Sequence, residues 1–373
     1  MLSFDRFLLP GEGRIYYKFS NTDGKTWLIP RRNMAVAMCL YQPSSGKGKL
    51  LKRGLPYLHG VKLVRDLLHI ESGNYVLSPW LQTLLEQAFG EKGLDFSVFG
   101  GTPCVHQKIT IQLSKGKRIL GYCKVTDTDE ISRIFAREQA LLDLLEEKGV
   151  SRIPRCLYCG SPADGISLFV QTTTKNFHSG TDHELCEREE NFLKELHEKT
   201  KRSLPFEQTE FCEDIRSLRE YPDSFAAPDF AVIEKGMRLV MSRFQGREVE
   251  FSCYHADFTP WNMYVEQGAL FVFDFEYAKC SYPPFLDYFH FFTQTAILEK
   301  HLLTEQIWVL YRKERENMHR FIQDTDFAYV CYLLGVMAHY VKREKGIYND
   351  TVSRFMKTGI GLLDHLCREK SYL

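Results

Sequence analysis

The distribution of apolar and polar positions divides the chain into regions of different periodicity. Between residues 93 and 174, short apolar runs are separated by turns that contain glycine, a pattern typical of β-strands. The runs with the length and composition of strands are residues 95–99, 104–113, 118–125, a segment around Leu157, and residues 166–171. Together they predict a five-stranded sheet.

Helical periodicity then replaces this strand pattern. Apolar residues from Ile131 to Leu145 recur at the spacing of one helix face, which predicts an amphipathic helix directly after the third strand. Further helical segments are predicted over residues 183–198, 225–244, 285–298, 305–321, 325–345 and 351–367. The sequence therefore predicts an α+β fold in which a β-rich lobe is followed by a helical lobe.

The first ninety residues have an arrangement of their own. Strands around a turn are predicted between residues 14 and 29, and one or two helices over residues 50–70. Ser78 as N-cap and Pro79 at the first helical position predict another helix that runs through Ala88. We see no chemical constellation in this part of the chain.

Three domains are predicted from these patterns. They are a small extra α/β domain over residues 1–92, the β-rich lobe over residues 93–174, and the helical lobe over residues 175–373. A chain of 373 residues can hold that number at the usual size of about 100–200 residues per domain. A run of Lys and Arg between residues 31 and 53 is interpreted as a solvated face.

The charge balance limits the classes of partner. Lys and Arg together number 48, as do Asp and Glu, so the chain lacks the basic surplus of a general nucleic-acid or anionic-membrane binder. No stretch approaches the ~18 uninterrupted apolar residues of a transmembrane helix. The first residues also lack the basic and apolar regions of a signal peptide. We therefore expect a cytoplasmic protein that binds no nucleic acid and does not insert into membranes.

The 11 cysteines favour reduced thiols over a disulfide framework. They are scattered, and most lie in apolar or strand-like runs, as buried thiols in a reducing compartment do. Cys156 and Cys159 have the spacing of a ligand pair, but a structural zinc site needs four ligands and the sequence has no second pair. A structural role is therefore favoured for both.

The candidate chemistry is concentrated in one motif, His255-x-Asp257-x4-Asn262, which Asp274 follows. Phosphoryl transfer uses one base and two Mg²⁺ ligands, and these three polar residues can supply them. Apolar runs on either side of residues 266–268 predict a β-hairpin. That hairpin would bring Asp274 back beside Asn262, where two oxygen ligands could share a hard cation.

This motif, together with residues 274–276, resembles the aminoglycoside phosphotransferase and choline kinase superfamily of small-molecule kinases. The resemblance implies a two-lobed protein-kinase-like fold that uses ATP and Mg²⁺. It implies that Asp257 is the catalytic base, which accepts the proton of the acceptor hydroxyl. Asn262 and Asp274 would bind Mg²⁺, and His255 would brace the loop. The resemblance covers roughly residues 93–373.

Two positions depart from related patterns. Ala256 stands where the superfamily usually has Gly, and Phe275-Glu276 stands where protein kinases have Phe-Gly. The short interval from Asp274 to Asp287 leaves no room for the activation segment of a protein kinase, so we expect a small hydroxyl compound as acceptor. Asp287 itself is expected to brace the catalytic segment.

The resemblance also assigns nucleotide-binding residues to the β-rich lobe. Gly100 and Gly101 would form a turn that lets backbone N–H groups approach phosphates. Lys124 would bind the α- and β-phosphates and pair with Glu138 of the following helix, for which Glu130 is the competing candidate.

The hinge that meets adenine is assigned by order along the chain. Residues 171–174 follow the last predicted strand of the sheet, and Gln171 and Thr173 are the expected contacts. This assignment depends on the resemblance and not on the chemistry of these side chains.

The acceptor class stays open between a sugar or glycan, an amino alcohol and an aminoglycoside-like compound, with a sugar or glycan preferred. Acidic residues that could face a cationic acceptor are Glu184, Glu187, Glu189, Glu190 and Asp214. Aromatic residues that could stack on a sugar or surround an ammonium group are Trp261, Tyr277, Tyr282 and Tyr288.

Two alternative functions are compatible with the same fold. A pseudokinase would bind nucleotide and use the N-terminal domain to recruit a partner. An adenylylating enzyme would transfer a different part of the nucleotide. The presence of Asp257, Asn262 and Asp274 together argues against the pseudokinase.

Overall fold

A computed structural model describes residues 4–43, 46–101, 107–163 and 165–369, except for the side chains of Glu12 and Gly13. Its contacts separate two compact units. Unit 1 comprises Met1–Glu146, Arg152–Gly180 and Tyr264–Phe271, and unit 2 comprises Glu147–Ser151, Thr181–Met263 and Val272–Leu373. The His255-x-Asp257-x4-Asn262 motif therefore belongs to unit 2, and most of the hairpin after it belongs to unit 1.

Unit 1 contains strands and helices in mixed order. In chain order they are β1 (Leu8–Ser20), β2 (Thr26–Pro30), α1 (Met34–Ala37), α2 (Gly46–Leu58), α3 (Lys62–Leu67), β3 (Glu71–Leu77), α4 (Pro79–Phe89), β4 (Asp95–Phe99), β5 (Ile109–Lys115), β6 (Arg118–Thr126), α5 (Asp129–Glu147), β7 (Cys156–Ala163) and β8 (Ile166–Thr172). A 3₁₀ turn, Met38–Leu40, directly follows α1.

All these strands form one antiparallel sheet of eight strands, in the order β3-β1-β2-β4-β5-β6-β8-β7. The five strands that the sequence predicts are present as β4 to β8. The sheet is larger because β2 pairs with the free edge of β4, with Trp27 opposite Phe99 and Leu28 opposite Val98. The predicted boundary between residues 92 and 93 thus falls inside unit 1, in one continuous sheet. The beginning of the strand predicted from residue 104 lies outside the described residues.

The two faces of this sheet differ in character. Alternate residues of β5, β6 and β8 form an apolar core that Leu81 and Leu85 of α4 cover. The opposite face carries Lys124, and α5 packs on it through Phe135, whose ring centre lies 5.7 Å from that of Phe169. The sheet thereby presents one polar face in the part where nucleotide contacts are predicted.

Unit 2 is mainly helical. In chain order its elements are α6 (Glu187–Thr200), β9 (Arg202–Pro205), α7 (Glu210–Ser217), α8 (Ala227–Phe244), β10 (Glu248–Tyr254), β13 (Lys279–Tyr282), α9 (Leu286–Leu298), α10 (Thr304–His319), α11 (Thr325–Glu344) and α12 (Asp350–Glu369). The hairpin strands β11 (Met263–Glu266) and β12 (Ala269–Val272), between β10 and β13 in the chain, belong mostly to unit 1. The predicted α+β class, with a β-rich N-terminal sheet and a helical C-terminal region, is confirmed. The sequence analysis missed α1, β3, β9, α7, β10 and β13, which are short or weakly patterned.

Helix α11 forms the centre of unit 2. It is buried on nearly all sides from Thr325 to Val341, as expected of a helix that is apolar around its whole circumference. The core around it is contributed by α7, α8, α9, α10 and α12. Within the part of the chain that the structure describes, none of the helices combines the length and apolarity needed to span a bilayer.

Trp27→Ala is expected to lower the free energy of unfolding by about 3–5 kcal/mol, because it removes a buried aromatic side chain from a core. The Trp27 ring stacks on Phe19 of β1 at 5.7 Å and on Phe99 of β4 at 5.2 Å between ring centres. Urea titration followed by circular dichroism measures the change. Trp80→Ala, at a half-buried position on α4, is the control and should cost clearly less. Equal losses of unfolding free energy in the two variants would contradict the interpretation that Trp27 stabilises the packing between β1 and β4.

Candidate active site

Buried hydrogen bonds fix the beginning of the loop that β10 leads into. His255 is 1% exposed, its Nε2 lies 3.0 Å from the carbonyl oxygen of Phe273, and its Nδ1 accepts the N–H of Asp257 over 3.2 Å. Because a backbone N–H can only donate, Nε2 must carry the imidazole proton and donate to Phe273. Burial lowers the pKa of His255 to about 4, so the neutral ring holds the loop at physiological pH.

The loop turns sharply at Ala256, whose φ of 67° lies in the left-handed region. A residue with a Cβ atom pays roughly 1–2 kcal/mol for this conformation, which glycine adopts freely. Asp287 stabilises the turn: its Oδ2 accepts the N–H of His255 over 2.8 Å, and its Oδ1 accepts the N–H of Ala256 over 3.1 Å. The exchange of Gly for Ala at this position therefore adds backbone strain that Asp287 helps to offset.

Asp287 is 2% exposed, at the beginning of α9. Burial raises the pKa of its carboxyl group to about 8, against the lowering effect of the two backbone N–H donors. Its contacts agree with the bracing role expected from the sequence.

Asp257 is the half-exposed carboxylate of the loop, with 32% of its side chain accessible. Asn262 donates from Nδ2 to Oδ2 of Asp257 over 2.7 Å and to its carbonyl oxygen over 3.0 Å. On the other side, Oδ1 lies 3.3 Å from Nε2 of His290, which is 2% exposed. The carboxylate is thus held in orientation from two sides while it stays accessible, as a general base must be.

His290 is a residue of the site that the sequence analysis did not find. It follows Asp287 by three positions on α9, so both side chains project from the same face of that helix. The Asp-x-x-His spacing at the start of a predicted helix is the signal that could have identified it.

A tight hairpin brings Asp274 near Asn262. Asn262 ends a 3₁₀ turn, and its carbonyl oxygen accepts the N–H of Phe273 over 3.0 Å. Strands β11 and β12 pair, and the two residues between them have φ values of 51° and 79°, as a type I′ turn requires. Asp274 follows Phe273 directly, with a left-handed φ of 69°. The hairpin predicted from the sequence is therefore present.

The donor atoms around this hairpin suit a hard divalent cation. Because Nδ2 of Asn262 donates to Asp257, the amide oxygen Oδ1 is directed away from that carboxylate. The carboxylate of Asp274 is a second oxygen donor, and Mg²⁺ prefers oxygen ligands of these kinds. The residues present thus fit the predicted role, which remains a prediction.

In unit 1, Lys124 of β6 and Glu138 of α5 form a buried ion pair. Nζ lies 2.8 Å from Oε2 and 3.0 Å from Oε1, and the two residues are 6% and 1% exposed. Nζ also lies 5.4 Å from the ring centre of Phe169. Glu130, the competing candidate, is exposed. Since loss of either partner would leave a buried charge unpaired, the pair fixes the orientation of the lysine.

The glycine turn after β4 is described only as far as Gly101, and residues 102–106 lie outside the described part of the chain. Gly101 has a φ of 78°, and a Cβ atom there would come within 2.3 Å of the carbonyl oxygen of Lys108, so only glycine fits. The N–H of Gly100, however, donates to the carbonyl oxygen of Thr26 over 2.8 Å. That amide takes part in the pairing of β2 with β4, so the expectation that it meets a phosphate does not agree with the structure.

The predicted hinge is ordered by contacts within unit 1. Gln171 is 3% exposed in β8, opposite Tyr122 of β6. Thr173 follows the strand, and its N–H donates to the carbonyl oxygen of Leu120 over 3.3 Å. The Oγ1 of Thr173 lies 2.8 Å from the hydroxyl of Tyr264. Roles in adenine binding remain predictions for Gln171 and Thr173.

Tyr264 is the second residue that the sequence analysis missed. Its hydroxyl also accepts the N–H of Thr174 over 3.1 Å, so a single phenol orders two successive hinge residues. About ninety positions separate the two segments, and no local pattern links them.

Two of the acidic acceptor candidates are used in internal contacts of unit 2. Asp214 is 4% exposed, accepts a hydrogen bond from the hydroxyl of Tyr282, and lies 2.7 Å from Nζ of Lys342. Glu189 is fully buried, and its Oε2 accepts the backbone N–H of Cys186 over 3.0 Å at the start of α6. Neither carboxylate is exposed for binding a cationic acceptor.

No protein-family model matches the sequence, and no curated protein matches it. Solved structures do match. A thermostable mutant of aminoglycoside phosphotransferase APH(4)-Ia in its apo form aligns at a TM-score of 0.50 with 14% identity, over 78% of this chain and 100% of that chain. A further mutant of it, in a ternary complex with AMP-PNP and hygromycin B, aligns at 0.50 with 14% identity, over 79% and 99%. Choline kinase LicA from Streptococcus pneumoniae aligns at 0.49 with 15% identity, over 82% and 99%.

At these identities the likeness to the aminoglycoside phosphotransferase shows the fold. The chain has the kinase-like fold of this aminoglycoside phosphotransferase, with a β-rich N-terminal sheet and a helical C-terminal region, and the predicted fold is confirmed.

His255→Gln is expected to flatten the dependence of stability on pH between about 4 and 6.5, the folded and ordinary pKa values of this side chain. In that window the unfolded chain binds a proton at His255 that the folded chain does not bind, so the free energy of unfolding falls as the pH falls. Since one pKa unit corresponds to about 1.4 kcal/mol, the wild type should lose roughly 2–3 kcal/mol more than the variant.

Urea titrations at both ends of this window measure the difference. His319→Gln, at an exposed position on α10, is the control and should keep the wild-type dependence. If His255→Gln shows the same slope as the wild type, the buried neutral histidine is not the source of the pH dependence.

Proposed function

We propose that the chain is an ATP- and Mg²⁺-dependent phosphotransferase that moves the γ-phosphoryl group to a hydroxyl of a small molecule. The observation that carries this proposal is the environment of Asp257: an accessible carboxylate oriented by Asn262 on one side and by His290 on the other. A carboxylate with a purely structural role would not have to be accessible to solvent.

In the proposed reaction, Asp257 accepts a hydrogen bond from the acceptor hydroxyl and takes its proton. The acceptor oxygen attacks the γ-phosphorus, the bond from phosphorus to the β–γ bridging oxygen breaks, and ADP leaves. Most of the acceleration comes from positioning and from stabilisation of charge. The contact with His290 prevents the carboxylate from rotating away from the acceptor.

Asn262 and Asp274 are the proposed Mg²⁺ ligands, through the amide oxygen and a carboxylate oxygen. A bound Mg²⁺ would neutralise charge on the β- and γ-phosphate oxygens. The type I′ turn supports this role, because it fixes both ligands on one short hairpin.

Lys124 is proposed to bind the α- and β-phosphates, with Glu138 directing its ammonium group. The ion pair is buried, so Lys124 is held in a single direction. The shared fold supports nucleotide binding as well, because a structure of that fold holds AMP-PNP together with a small molecule.

An aromatic cluster of unit 2, made of Tyr277, His339 and Tyr340, supports a sugar-like acceptor. The rings of Tyr277 and His339 lie 4.7 Å apart, and the Arg343 guanidinium lies 5.0 Å from the ring centre of Tyr340. Burial lowers the pKa of His339 to about 3 and raises that of Tyr277 to about 12, so both rings are neutral at physiological pH. Neutral aromatic faces suit the stacking of a sugar ring.

Helix α9 links this cluster to the base. Gln294 donates to the hydroxyl of Tyr340 over 3.2 Å, and it follows His290 by four positions, on the same helix face. The guanidinium of Arg343 is paired with Glu344 at 2.7 Å, so the cluster has no unpaired acidic group of its own, and Asp214 and Glu189 are buried in other contacts. We therefore propose a neutral, hydroxyl-rich acceptor ahead of an ammonium-bearing one.

Asp257→Asn is expected to lower acceptor-stimulated turnover by about 10²–10⁴-fold, because an amide cannot accept the hydroxyl proton as a base. Nucleotide binding should stay nearly unchanged, since the amide has the same shape. ADP formation by the purified chain, with pools of sugars, amino alcohols and aminoglycosides, measures turnover and identifies the acceptor class.

Asp223→Asn, at an exposed position in unit 2, is the control for removal of a carboxylate and should behave as the wild type. Near-normal turnover by Asp257→Asn would refute the base assignment. Nucleotide binding without turnover in any pool would favour the pseudokinase, and release of pyrophosphate instead of ADP would favour adenylylation.

Asp274→Asn is expected to weaken Mg²⁺-dependent nucleotide binding, because it removes the negative charge of one proposed ligand. Calorimetric titration of ATP at several Mg²⁺ concentrations measures the effect, and Asp223→Asn is again the control. A metal dependence identical to that of the wild type would refute the ligand assignment.

A further inference from the structure

The segment Met34–Leu40, which we call the wall segment, lies on the same face of the unit 1 sheet as Lys124. Tyr122 precedes Lys124 by two positions on β6 and therefore shares its face, and Gln112 of β5 lies directly opposite Tyr122. The Nε2 of Gln112 donates to the carbonyl oxygen of Val36 over 3.0 Å in a fully buried bond. A side chain of the nucleotide face thus bonds the wall segment directly.

Apolar contacts extend this attachment along β6. Val36 and Cys39 of the wall segment pack against Ile119 and Tyr122. The wall segment consequently covers the first half of β6, up to the position of Lys124.

The predicted hinge meets β6 in this same half. The N–H of Thr173 bonds the carbonyl oxygen of Leu120, and Gln171 lies opposite Tyr122. A nucleotide with its phosphates at Lys124 and its base at this hinge would have the base beside Tyr122. Because the wall segment packs against Tyr122, it would border a base in that position.

The electrostatics of Lys175, two positions after Thr173, also connect the N-terminal region with the hinge. Burial lowers the pKa of Lys175 to about 8, and the positive charge of Lys52 from α2 lowers it further. The thiol of Cys39 acts on Lys175 in the opposite direction. Lys52 and Cys39, which precede β4 to β8 in the chain, are thus near enough to Lys175 to influence its charge.

We infer that the wall segment forms one side of the base-binding part of the nucleotide site, with Val36 and Cys39 next to the base. This inference rests on the proposed function, since it takes a nucleotide to bind at Lys124. It gives the N-terminal region a part in nucleotide recognition, whereas the sequence motifs place that recognition entirely after residue 93.

The wall segment is built into the core and is not a cover laid over it. Met34, Ala37 and Met38 are 4%, 2% and 1% exposed, and they pack with buried residues of β1 and β2. Asn33, just before them, donates to Oδ2 of Asp95 over 3.2 Å. Displacement would expose this core, so the wall segment is expected to stay in place when a nucleotide binds.

Hydrogen–deuterium exchange on the wild-type chain tests the inference without any substitution. Peptides that cover residues 34–41 are compared with and without Mg²⁺ and a non-hydrolysable ATP analogue. Slower exchange in the wall segment is expected on nucleotide binding, while the far edge strand β7 should exchange at an unchanged rate.

Cys39→Phe provides a second test, because the larger side chain would project into the space of the base. The dissociation constant for the ATP analogue should rise about tenfold or more, a change of about 1.4 kcal/mol. Cys159→Phe makes the same enlargement at a half-buried position on β7 and is the matched control. Thermal unfolding of each variant identifies a failure to fold, in which case the exchange result decides.

The results separate the two proposals. If nucleotide binds and exchange over residues 34–41 stays unchanged, the inference that the wall segment borders the base is wrong. Faster exchange would also contradict it and would indicate that nucleotide binding displaces the wall segment. Absence of nucleotide binding by the wild type would instead overturn the proposed function, and the wall with it.

Discussion

The two hydrogen bonds that Asp287 accepts from the amides of His255 and Ala256 are the constraint on which the candidate site depends. They hold the chain in a left-handed turn that a residue with a Cβ atom would otherwise avoid. That turn places Asp257 at the accessible edge of the loop, where Asn262 can reach it. A fully buried carboxylate thus fixes the backbone, and this allows the neighbouring carboxylate to remain accessible.

Helix α9 combines several functions on one face. Asp287 braces the loop, His290 orients the carboxylate of Asp257, and Gln294 bonds Tyr340 of the aromatic cluster. Because these residues are spaced three and four positions apart, a single rigid helix sets their relative positions. Loop geometry, the orientation of Asp257 and the proposed acceptor surface are therefore coupled through one element, which is itself packed on the buried helix α11.

In unit 1, the eight-stranded sheet sets the relative positions of the residues, as helix α9 does in unit 2. The pairing of β2 with β4 joins the N-terminal strands to the strands that carry the proposed nucleotide contacts, and Trp27 packs across the joint. The pairing uses the N–H of Gly100, which donates to the carbonyl oxygen of Thr26. It also positions the segment after β2 over the polar face of the sheet, next to Tyr122. The N-terminal strands, which pair at the edge of β4, thereby change which residues pack against Tyr122 at the centre of the sheet.

The sequence by itself determined the features that depend on near neighbours in the chain. These include the alternation of β4 to β8, the helical spacing of α5, the type I′ hairpin after Asn262, and the strand–helix order that lets Lys124 meet Glu138. Only the tertiary structure decided which distant groups meet. His290 contacts Asp257 across 33 positions and Tyr264 contacts Thr173 across 91, while β2 reaches β4 by an edge pairing that no local pattern specifies. Propensity and turn chemistry act over a few residues, whereas these contacts are selected by packing and by the need to satisfy buried polar groups.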